Sequence, residues 1–382
     1  MFLTNQDIAD LVAWRRKLHA MPEISGEEAR TAAEVVAFLS ATRPDGIVTG
    51  LGGHGVAAIY RGAAPGPTVM IRAELDALPI PEISTLGHRS TIPGKGHLCG
   101  HDGHMATLAA LARGLARQRP ARGRVVLMFQ PAEETGAGAA AVIADPAFAA
   151  LTPDIAFAYH NLPGLPLGHV ALAEGPVNCA SRGMRIILRG HTAHASQPEH
   201  GLSPMTAMAR LMPALTALAQ GSHHDPDFAL VTITHARLGE PAFGIAPGLG
   251  EVWATLRSLT TSGMETLRLT AESLARTAAA EAGLALEITY DDIFDHCENA
   301  PAAVAPLRRA LDAEAIPHDE GDLPMRGSED FGRFARHAPA AMFFLGAGEA
   351  HPGLHTSSYD FPDALIGIGA RVLMRTIRDL LG

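Results

Sequence analysis

The chain has 382 residues, of which 47% are hydrophobic and 18% are charged, and its formal net charge is −10 at pH 7. This length exceeds one ordinary core and predicts two domains, while the composition excludes a disordered chain. The excess of acid argues against nucleic acid as a partner, because no basic stripe offsets it. No apolar run approaches the roughly 18 residues of a membrane helix, so no membrane contact is expected.

The first predicted element is a helix in the N-terminal stretch MFLTNQDIADLVAWRRKLHA, with Thr4 or Asn5 near its cap. This stretch lacks the basic, apolar and small-residue regions of a signal peptide. The three cysteines, Cys99, Cys179 and Cys297, are far apart and odd in number, which argues against a disulfide framework. We therefore expect a protein of the reducing cytoplasm.

Four apolar runs have strand length and are almost continuously hydrophobic, as in strands buried on both faces. They cover 68–79, 123–134, 154–164 and 340–348. Helical patterns cover 105–117, 135–144 and 300–314. Alternating strands and helices predict an α/β sheet. Because Glu and His residues follow these runs, we expect the functional residues beyond the carboxyl ends of the strands.

The middle of the chain has a different pattern, with the order strand, helix, strand, strand, helix, strand. These elements are predicted at 183–190, 203–221, 228–239, 251–260, 263–283 and 284–293. This order is that of a split βαβ, ferredoxin-like unit. We place it at 178–292, inserted into an α/β domain formed by 1–177 and 293–382.

The segment GHLCGHDGHMA, residues 96–106, places Cys99 and His101 in a glycine-rich turn. A thiolate and an imidazole so close together can face one metal ion. On this segment alone, a buried thiol beside a packed histidine is an equally good interpretation, and a thiol nucleophile is a third. A structural zinc site is not expected, because the chain has no paired C-x₂-C spacing.

The segment QPAEE contains the adjacent carboxylates Glu133 and Glu134. Such a pair is usually solvated, but this one follows an apolar strand and a proline. Neighbouring side chains on extended backbone point in different directions. One carboxylate can therefore bind a metal while the other acts as a general base on bound water.

Two further histidines follow apolar strands, and a lone histidine in such a place is usually structural. The total number of candidate ligand residues favours a metal site. Five candidate ligands are enough for two metal ions that share a bridging group: Cys99, His101, Glu134, His160 and His355. Asp76, after its strand, is a candidate acceptor for the second ring N–H of a ligand histidine, or else a turn aspartate.

Seven motifs occur in one order along almost the whole chain: WRRKLHAMPEISGEE, RAELDALP, CGHDGH, FQPAEE, GHTAHASQPEHG, GSEDF and LHTSSYDF. Together they resemble the aminoacylase, hippurate hydrolase and indole-acetyl-amino-acid hydrolase group of di-metal metallopeptidase-like amidohydrolases. The resemblance implies a mixed-sheet α/β catalytic domain of the zinc-exopeptidase type. It also implies an inserted ferredoxin-like α+β lid through which the chain dimerises.

The same resemblance implies roles for single residues. Cys99 matches a metal ligand, bridging where related exopeptidases have an aspartate, and the other four candidate ligands match the remaining positions. Glu133 matches the general base, and Asp76 matches the acid that contacts a ligand histidine. His194 matches a lid histidine that reaches the partner subunit's site and stabilises the oxyanion. Arg257 matches a lid arginine that holds a substrate carboxylate, although an exposed strand arginine is the alternative.

One position departs from the family pattern. The family commonly has FNVIP where this chain has FGIAP, so Gly244 replaces an asparagine that would contact the substrate. Recognition of the carboxylate end of a substrate is therefore expected to differ. The GSEDF motif is interpreted as structural, with Ser328 capping a helix.

The sequence thus predicts a metal-dependent amidohydrolase that cleaves N-acyl amino acids to a carboxylic acid and an amino acid. Two divalent ions are expected, zinc or manganese with cobalt as a further candidate, in a cytoplasmic homodimer. A dipeptidase or carbamoyl-amide hydrolase is the alternative on the same scaffold. A cysteine-nucleophile hydrolase and a non-catalytic binding protein are the alternatives of other classes.

Overall fold

A computed structural model describes residues 2–382 and divides the chain into two compact units. The first unit runs to Val177 and includes Glu298–Leu323 and Asp330–Gly382. The second unit comprises Asn178–Cys297 and Pro324–Glu329. Strands β7 (Gly175–Asn178) and β14 (Cys297–Asn299) lie where the chain passes between the units.

The first unit contains an eight-stranded mixed sheet in the order β1-β2-β4-β3-β5-β16-β6-β15. Its strands are β1 (Gly46–Leu51), β2 (Gly55–Arg61), β3 (Ala64–Glu74), β4 (Arg122–Gln130), β5 (Ile155–Pro163), β6 (Val170–Ala171), β15 (His318–Asp319) and β16 (Ala340–Gly348). The four central strands, β4, β3, β5 and β16, are mutually parallel. Their carboxyl ends therefore meet at one edge, where the sequence predicts the site.

Six helices belong to the first unit: α1 (Asn5–His19), α2 (Ala29–Ala41), α3 (His101–Arg117), α4 (Gly138–Ala144), α7 (Pro301–Ala313) and α8 (Ala364–Leu381). Helix α1 begins with a capping box in which the Thr4 hydroxyl accepts a hydrogen bond from the Asp7 N–H, as the sequence predicts near Thr4. Helix α3 is almost wholly buried because small alanines and leucines let it pack between the sheet and helices α1 and α8. Its buried start carries the CGHDGH motif.

The second unit is built around a four-stranded antiparallel sheet in the order β10-β12-β8-β13. Its elements are β8 (Ala180–Arg189), β9 (Ala193–His194), α5 (Met205–Thr216), β10 (Ala229–Leu238), β11 (Ile245–Ala246), β12 (Leu249–Ser258), α6 (Thr261–Glu281) and β13 (Ala285–Phe294). The predicted ferredoxin-like order is confirmed. Inward residues alternate with outward ones along β12, since only one face of this sheet is covered.

Three short 3₁₀ helices complete the structure: Pro146–Ala150, Pro198–His200 and Asp330–Arg336. The last of them begins in the GSEDF motif. The Ser328 hydroxyl oxygen there accepts a hydrogen bond from Arg257 Nη1 at 3.0 Å. Within residues 2–382, no helix has both the length and the hydropathy that crossing a membrane requires.

Candidate metal centre

Seven of the predicted site residues gather at the carboxyl edge of the parallel strands. Asp76 follows β3 and the Glu133–Glu134 pair follows β4, while His160 lies near the end of β5. The turn before α3 supplies Cys99, and the first residue of that helix is His101. His355 comes from the loop between β16 and α8.

The donor atoms of these residues are close together. Cys99 Sγ lies 3.4 Å from His160 Nε2, and His355 Nε2 lies 3.5 Å from a Glu134 carboxylate oxygen. His101 Nε2 lies 3.8 Å from a carboxylate oxygen of each of Glu133 and Glu134. Three sets of donors each fit within 4.8 Å: Cys99, His101 and His160; Cys99, Glu134 and His355; His101, Glu133 and Glu134. Cys99, His101 and Glu134 each belong to two of these sets, so the three sets form one continuous group of donors, and the bridging role of Cys99 stays a prediction.

Unusual backbone conformations bring these side chains together. Gly100 has φ +100°, and a Cβ added there would lie 2.3 Å from Asn161 Nδ2, so the turn requires glycine. His355 has φ 62°, and its N–H donates to the Leu98 carbonyl at 2.8 Å. This hydrogen bond ties the loop that carries His355 to the segment that carries Cys99.

The buried His101 and the half-buried His160 are each anchored through one ring nitrogen and present the other. His101 Nδ1 donates to the Asp76 carbonyl at 2.8 Å, and His160 Nδ1 donates to the Asn161 carbonyl at 2.7 Å. His101 Nε2 is buried and has no hydrogen-bond partner among the described residues. A buried ring nitrogen without a hydrogen-bond partner is costly, and a divalent cation would satisfy it once the nitrogen is deprotonated. Thiolate, imidazole and carboxylate donors suit such a cation, so the residues fit the metal that the sequence predicts.

The electrostatics of the cluster are dominated by burial and carboxylates. Burial, together with Glu134 and Glu133, raises the pKa of Cys99 well above its usual value. Burial lowers the pKa of His101, but Glu74 and Asp76 outweigh it and bring that pKa to about 10. The concentration of negative charge is what a cation site requires.

Asp76 connects two of the candidate ligands. One oxygen lies 3.4 Å from His101 Nδ1, and the other accepts from the Glu134 N–H at 3.0 Å and from Ser25 at 2.7 Å. Burial raises the pKa of Asp76, but its contact with His101 outweighs burial and lowers it. The His101 ring N–H is therefore held by the Asp76 backbone carbonyl, whereas the Asp76 carboxylate holds the Glu134 backbone, and its predicted role beside a ligand histidine stays a prediction.

A fully buried polar layer beneath the cluster was missed by sequence reasoning. Arg72 Nη2 donates to Asp330 at 2.7 Å, and Arg72 Nε donates to Gln130 at 2.9 Å. Arg72 also contacts Glu74, whose second oxygen lies 2.7 Å from His104 Nδ1. This layer holds the ends of β3, β4 and α3 together.

Sequence spacing contained a signal for part of this layer. Glu74 precedes Asp76 by two residues, so on extended backbone the two side chains face the same way. His104 follows His101 by three residues and shares its face of α3. Asp330 gives no comparable signal, because 258 residues separate it from Arg72.

The remaining predicted residues, His194 and Arg257, belong to the second unit. His194 is exposed in β9, and its Nδ1 lies 2.7 Å from the Ser196 hydroxyl. Arg257 in β12 is half-buried, and its Nη1 donates to the Arg326 carbonyl at 2.9 Å. A Cβ added at Gly244 would meet nothing within 4 Å. The substrate roles of His194 and Arg257 stay predictions.

A mixed sheet with thiolate, imidazole and carboxylate donors at its carboxyl edge defines a metal-dependent hydrolase. The family model of Peptidase family M20/M25/M40 matches residues 70–379, and the chain belongs to this family. It is a hydrolase that acts on amide bonds, as the sequence predicts.

Curated relatives agree with this assignment, and a solved structure shares the fold. The chain is 30% identical over 347 residues to an N-acetyldiaminopimelate deacetylase of Exiguobacterium sibiricum, covering 90% of this chain and 92% of the relative. It is 28% identical to IAA-amino acid hydrolase ILR1-like 5 of Arabidopsis thaliana, covering 95% and 85% of the two chains. Its fold is similar to that of the Bacillus subtilis YXEP protein, a dinuclear metal binding peptidase, with a TM-score of 0.82, 24% identity and 99% of each chain covered.

Proposed function

We propose that this chain hydrolyses N-acyl amino acids to a carboxylic acid and an amino acid, using two divalent metal ions. The observation that carries the proposal is the overlap of three donor sets, each within 4.8 Å, which share Cys99, His101 and Glu134. The names of the relatives support the substrate class, since a deacetylase of an N-acetyl amino acid and a hydrolase of IAA-amino acids are both among them.

The metal ions would be held by the five predicted ligands: Cys99, His101, Glu134, His160 and His355. Bound there, they would supply Lewis-acid polarisation of the amide carbonyl and an acidified water. The mixture of thiolate and imidazole favours zinc, and manganese and cobalt are the other candidates.

Glu133 is proposed as the general base. It is buried on a turn in which its carbonyl accepts a hydrogen bond from the Gly136 N–H at 2.7 Å. The preceding residue, Ala132, donates its N–H to the buried Glu28 carboxylate at 2.8 Å. A carboxylate fixed in this way can remove a proton from the attacking water and deliver it to the leaving nitrogen.

The second unit is proposed to act as a lid and as the dimerisation surface of a homodimer, as the resemblance implies. His194 is exposed, so its ring can contact a molecule outside its own unit. There it would donate to the developing oxyanion in the partner subunit's site. Arg257 would bind the substrate carboxylate, and its anchoring on the Arg326 carbonyl would fix its direction.

The substrate class is tested with metal-free protein and a panel of acetyl, benzoyl and indole-acetyl amino acids, with dipeptides and carbamoyl amino acids as further arms. Hydrolysis of N-acyl amino acids is expected after addition of Zn²⁺ or Mn²⁺, with loss in chelator. Cleavage of the dipeptide or carbamoyl arm alone would replace the proposed substrate. Activity that persists in chelator and disappears on thiol alkylation would assign the reaction to a cysteine nucleophile.

The role of Glu133 is tested with Glu133→Gln, which keeps the size of the side chain and removes the base. We expect kcat to fall by about 10²- to 10⁴-fold, the usual contribution of general acid–base catalysis, with the metal content unchanged. Glu349→Gln is the control, since this glutamate is exposed in the loop that carries His355. Wild-type turnover by Glu133→Gln would contradict the assignment.

A further inference from the structure

Asn161 lies directly after the candidate ligand His160 and is fully buried. Its side-chain Nδ2 donates to the Cys99 carbonyl at 2.7 Å and lies 3.1 Å from His104 Nε2. Its backbone N–H also points to His104 Nε2, at 3.2 Å. Its Oδ1 accepts a hydrogen bond from the Tyr359 hydroxyl. One side chain therefore joins the turn of Cys99, helix α3 and the segment that follows His355.

The partners of Asn161 fix the direction of every hydrogen bond around it. His104 Nε2 accepts from Asn161, so His104 Nδ1 carries the proton and donates to the Glu74 carboxylate at 2.7 Å. The Cys99 carbonyl can only accept, which directs the amide NH₂ towards it and leaves Oδ1 for the Tyr359 hydroxyl. No other neutral side chain of this size offers two donors and one acceptor in this arrangement.

The turn of Cys99 is shaped to receive this amide. Gly100 leaves the space that Asn161 Nδ2 and the Tyr359 hydroxyl occupy, since a Cβ there would lie 2.3 Å and 2.9 Å from them. The sulfur of Cys99 in turn lies 3.4 Å from His160 Nε2, one residue before Asn161. Asn161 is joined to His160 by the backbone and to the Cys99 carbonyl by its side-chain amide. It therefore sets the distance between these two candidate ligands.

We propose that Asn161 is a positioning residue that holds the Cys99 sulfur and the His160 imidazole at metal-binding distance, with His104 and Tyr359 fixing its amide. The inference rests on the proposed metal site and adds a residue that touches neither metal nor substrate.

The sharpest variant is Asn161→Asp, which preserves size and shape. Its carboxylate would place an acceptor oxygen against the Cys99 carbonyl and against His104 Nε2, where Asn161 places donors. The turn of Cys99 and the end of β5 should separate, because two acceptors facing each other repel. Metal affinity is expected to fall by roughly 10- to 100-fold, as for other residues that orient metal ligands.

The measurement uses the full-length protein stripped of metal and titrated with Co²⁺ in competition with a chelator. The near-ultraviolet thiolate-to-cobalt charge-transfer band reports whether Cys99 ligates the ion, independently of turnover. In Asn161→Asp, we expect weaker binding together with a loss of intensity in this band at saturating Co²⁺. Wild-type affinity with a wild-type band would overturn the proposal.

A matched control comes from Asn299, another fully buried asparagine of the first unit. Its Nδ2 donates to the Ala173 carbonyl at 2.9 Å and the Met342 carbonyl at 2.8 Å, and its Oδ1 accepts from the Met342 N–H at 2.8 Å. Asn299→Asp makes the same chemical change and contacts no candidate ligand. It is expected to lower stability and to keep the charge-transfer band, and an equal loss of the band in both variants would overturn the specific role of Asn161.

Tyr359→Phe provides a second, milder test of the proposal if Asn161→Asp fails to fold. It removes only the hydroxyl that donates to Asn161 Oδ1, and we expect a loss of Co²⁺ affinity in the same direction but below tenfold. An unchanged affinity and band would contradict the proposal.

Cys99→Ser separates this inference from the proposed function, because it removes the sulfur that would give the charge-transfer band. If the wild-type protein and Cys99→Ser have the same spectrum with Co²⁺, Cys99 is not a metal ligand and the proposed metal site is wrong, whatever the result for Asn161→Asp.

Discussion

The two units of the chain differ in how deeply they bury ion pairs. In the first unit, Arg72, Glu74 and Asp330 have no exposed side-chain surface and pair with one another. In the second unit, the core is apolar and the ion pairs reach the surface, as where the partly buried Arg268 of α6 pairs with the exposed Glu265 and the partly buried Glu272.

This difference indicates what each unit is built to do. Burying ions costs desolvation energy that their attraction barely repays, so an apolar core is the better route to stability. The second unit has such an apolar core. The first unit keeps buried ions directly beneath the candidate ligands, which indicates that they are retained to hold the site in place.

The largest expected effect follows from Arg72→Met. This substitution leaves Glu74 and Asp330 buried without their common cation, and losing one partner of a buried pair typically costs about 3–5 kcal/mol. Urea unfolding followed by circular dichroism measures the loss. A loss below about 1 kcal/mol in the free energy of unfolding would contradict the contrast between the units, because buried ion pairs would then contribute no more than surface ones.

A second test is the pH dependence of stability through His19, a fully buried residue of α1. Burial lowers the pKa of His19, but Asp102 at 2.9 Å and Glu82 outweigh it and raise the pKa from 6.5 to about 9. Because the folded pKa is raised, the stabilisation is complete below pH 6.5 and disappears as pH rises through about 9. This shift in pKa corresponds to a contribution of about 3 kcal/mol to the free energy of unfolding at low pH.

His19→Gln should therefore flatten the decline in the free energy of unfolding between pH 6.5 and pH 9. The exposed His200 of the second unit provides the control, and His200→Gln should keep the wild-type slope. If His19→Gln retains that slope, His19 is not the group responsible.

Arg268→Met tests the other side of the comparison. Arg268 is partly buried and has two carboxylate partners on α6, of which Glu265 is exposed and Glu272 is partly buried. Because water reaches both pairs, we expect them to contribute about 1 kcal/mol or less. The free energy of unfolding should change by that amount, and the change should shrink in high salt. A loss as large as that of Arg72→Met would remove the contrast between the units.

The smallest expected effect on stability is that of Gly244→Asn in the second unit. The added side chain enters open space, so stability should change by no more than about 0.5 kcal/mol. If this position recognises the substrate carboxylate, KM should fall for N-acyl amino acids and stay constant for the matching amides without a carboxylate. An equal change for both substrates would exclude that role.

Much of the fold was predictable because its signals are local. The continuous apolar run over 340–348 coincides with β16 (Ala340–Gly348), and the amphipathic pattern over 263–283 coincides with α6 (Thr261–Glu281). The ferredoxin-like order of the second unit followed from six such elements. Burial on both faces or on one face leaves a pattern in the sequence itself.

The candidate site was predictable only in part. Glu133, Glu134, His160 and His355 were predicted as site residues from their positions after strands, and Cys99 and His101 from their glycine-rich turn. The structure brings these six residues together, and their roles stay predictions. Glu74 and His104 were not identified, although their spacing from Asp76 and His101 contained a signal. Asn161 was not identified, because an asparagine beside a candidate ligand is indistinguishable from a surface residue until its partners are known.

The sequence by itself determined the elements, the family and the types of donor atom that the site contains. Only the tertiary structure decided which donors share one point in space and which nitrogen of each histidine faces it. Nδ1 of His101 is held by Asp76, 25 residues away, and Asn161 reaches Cys99 across 62 residues. Such distances depend on the order in which strands pair, and hydrogen-bond direction depends on the partner that each atom finds after folding.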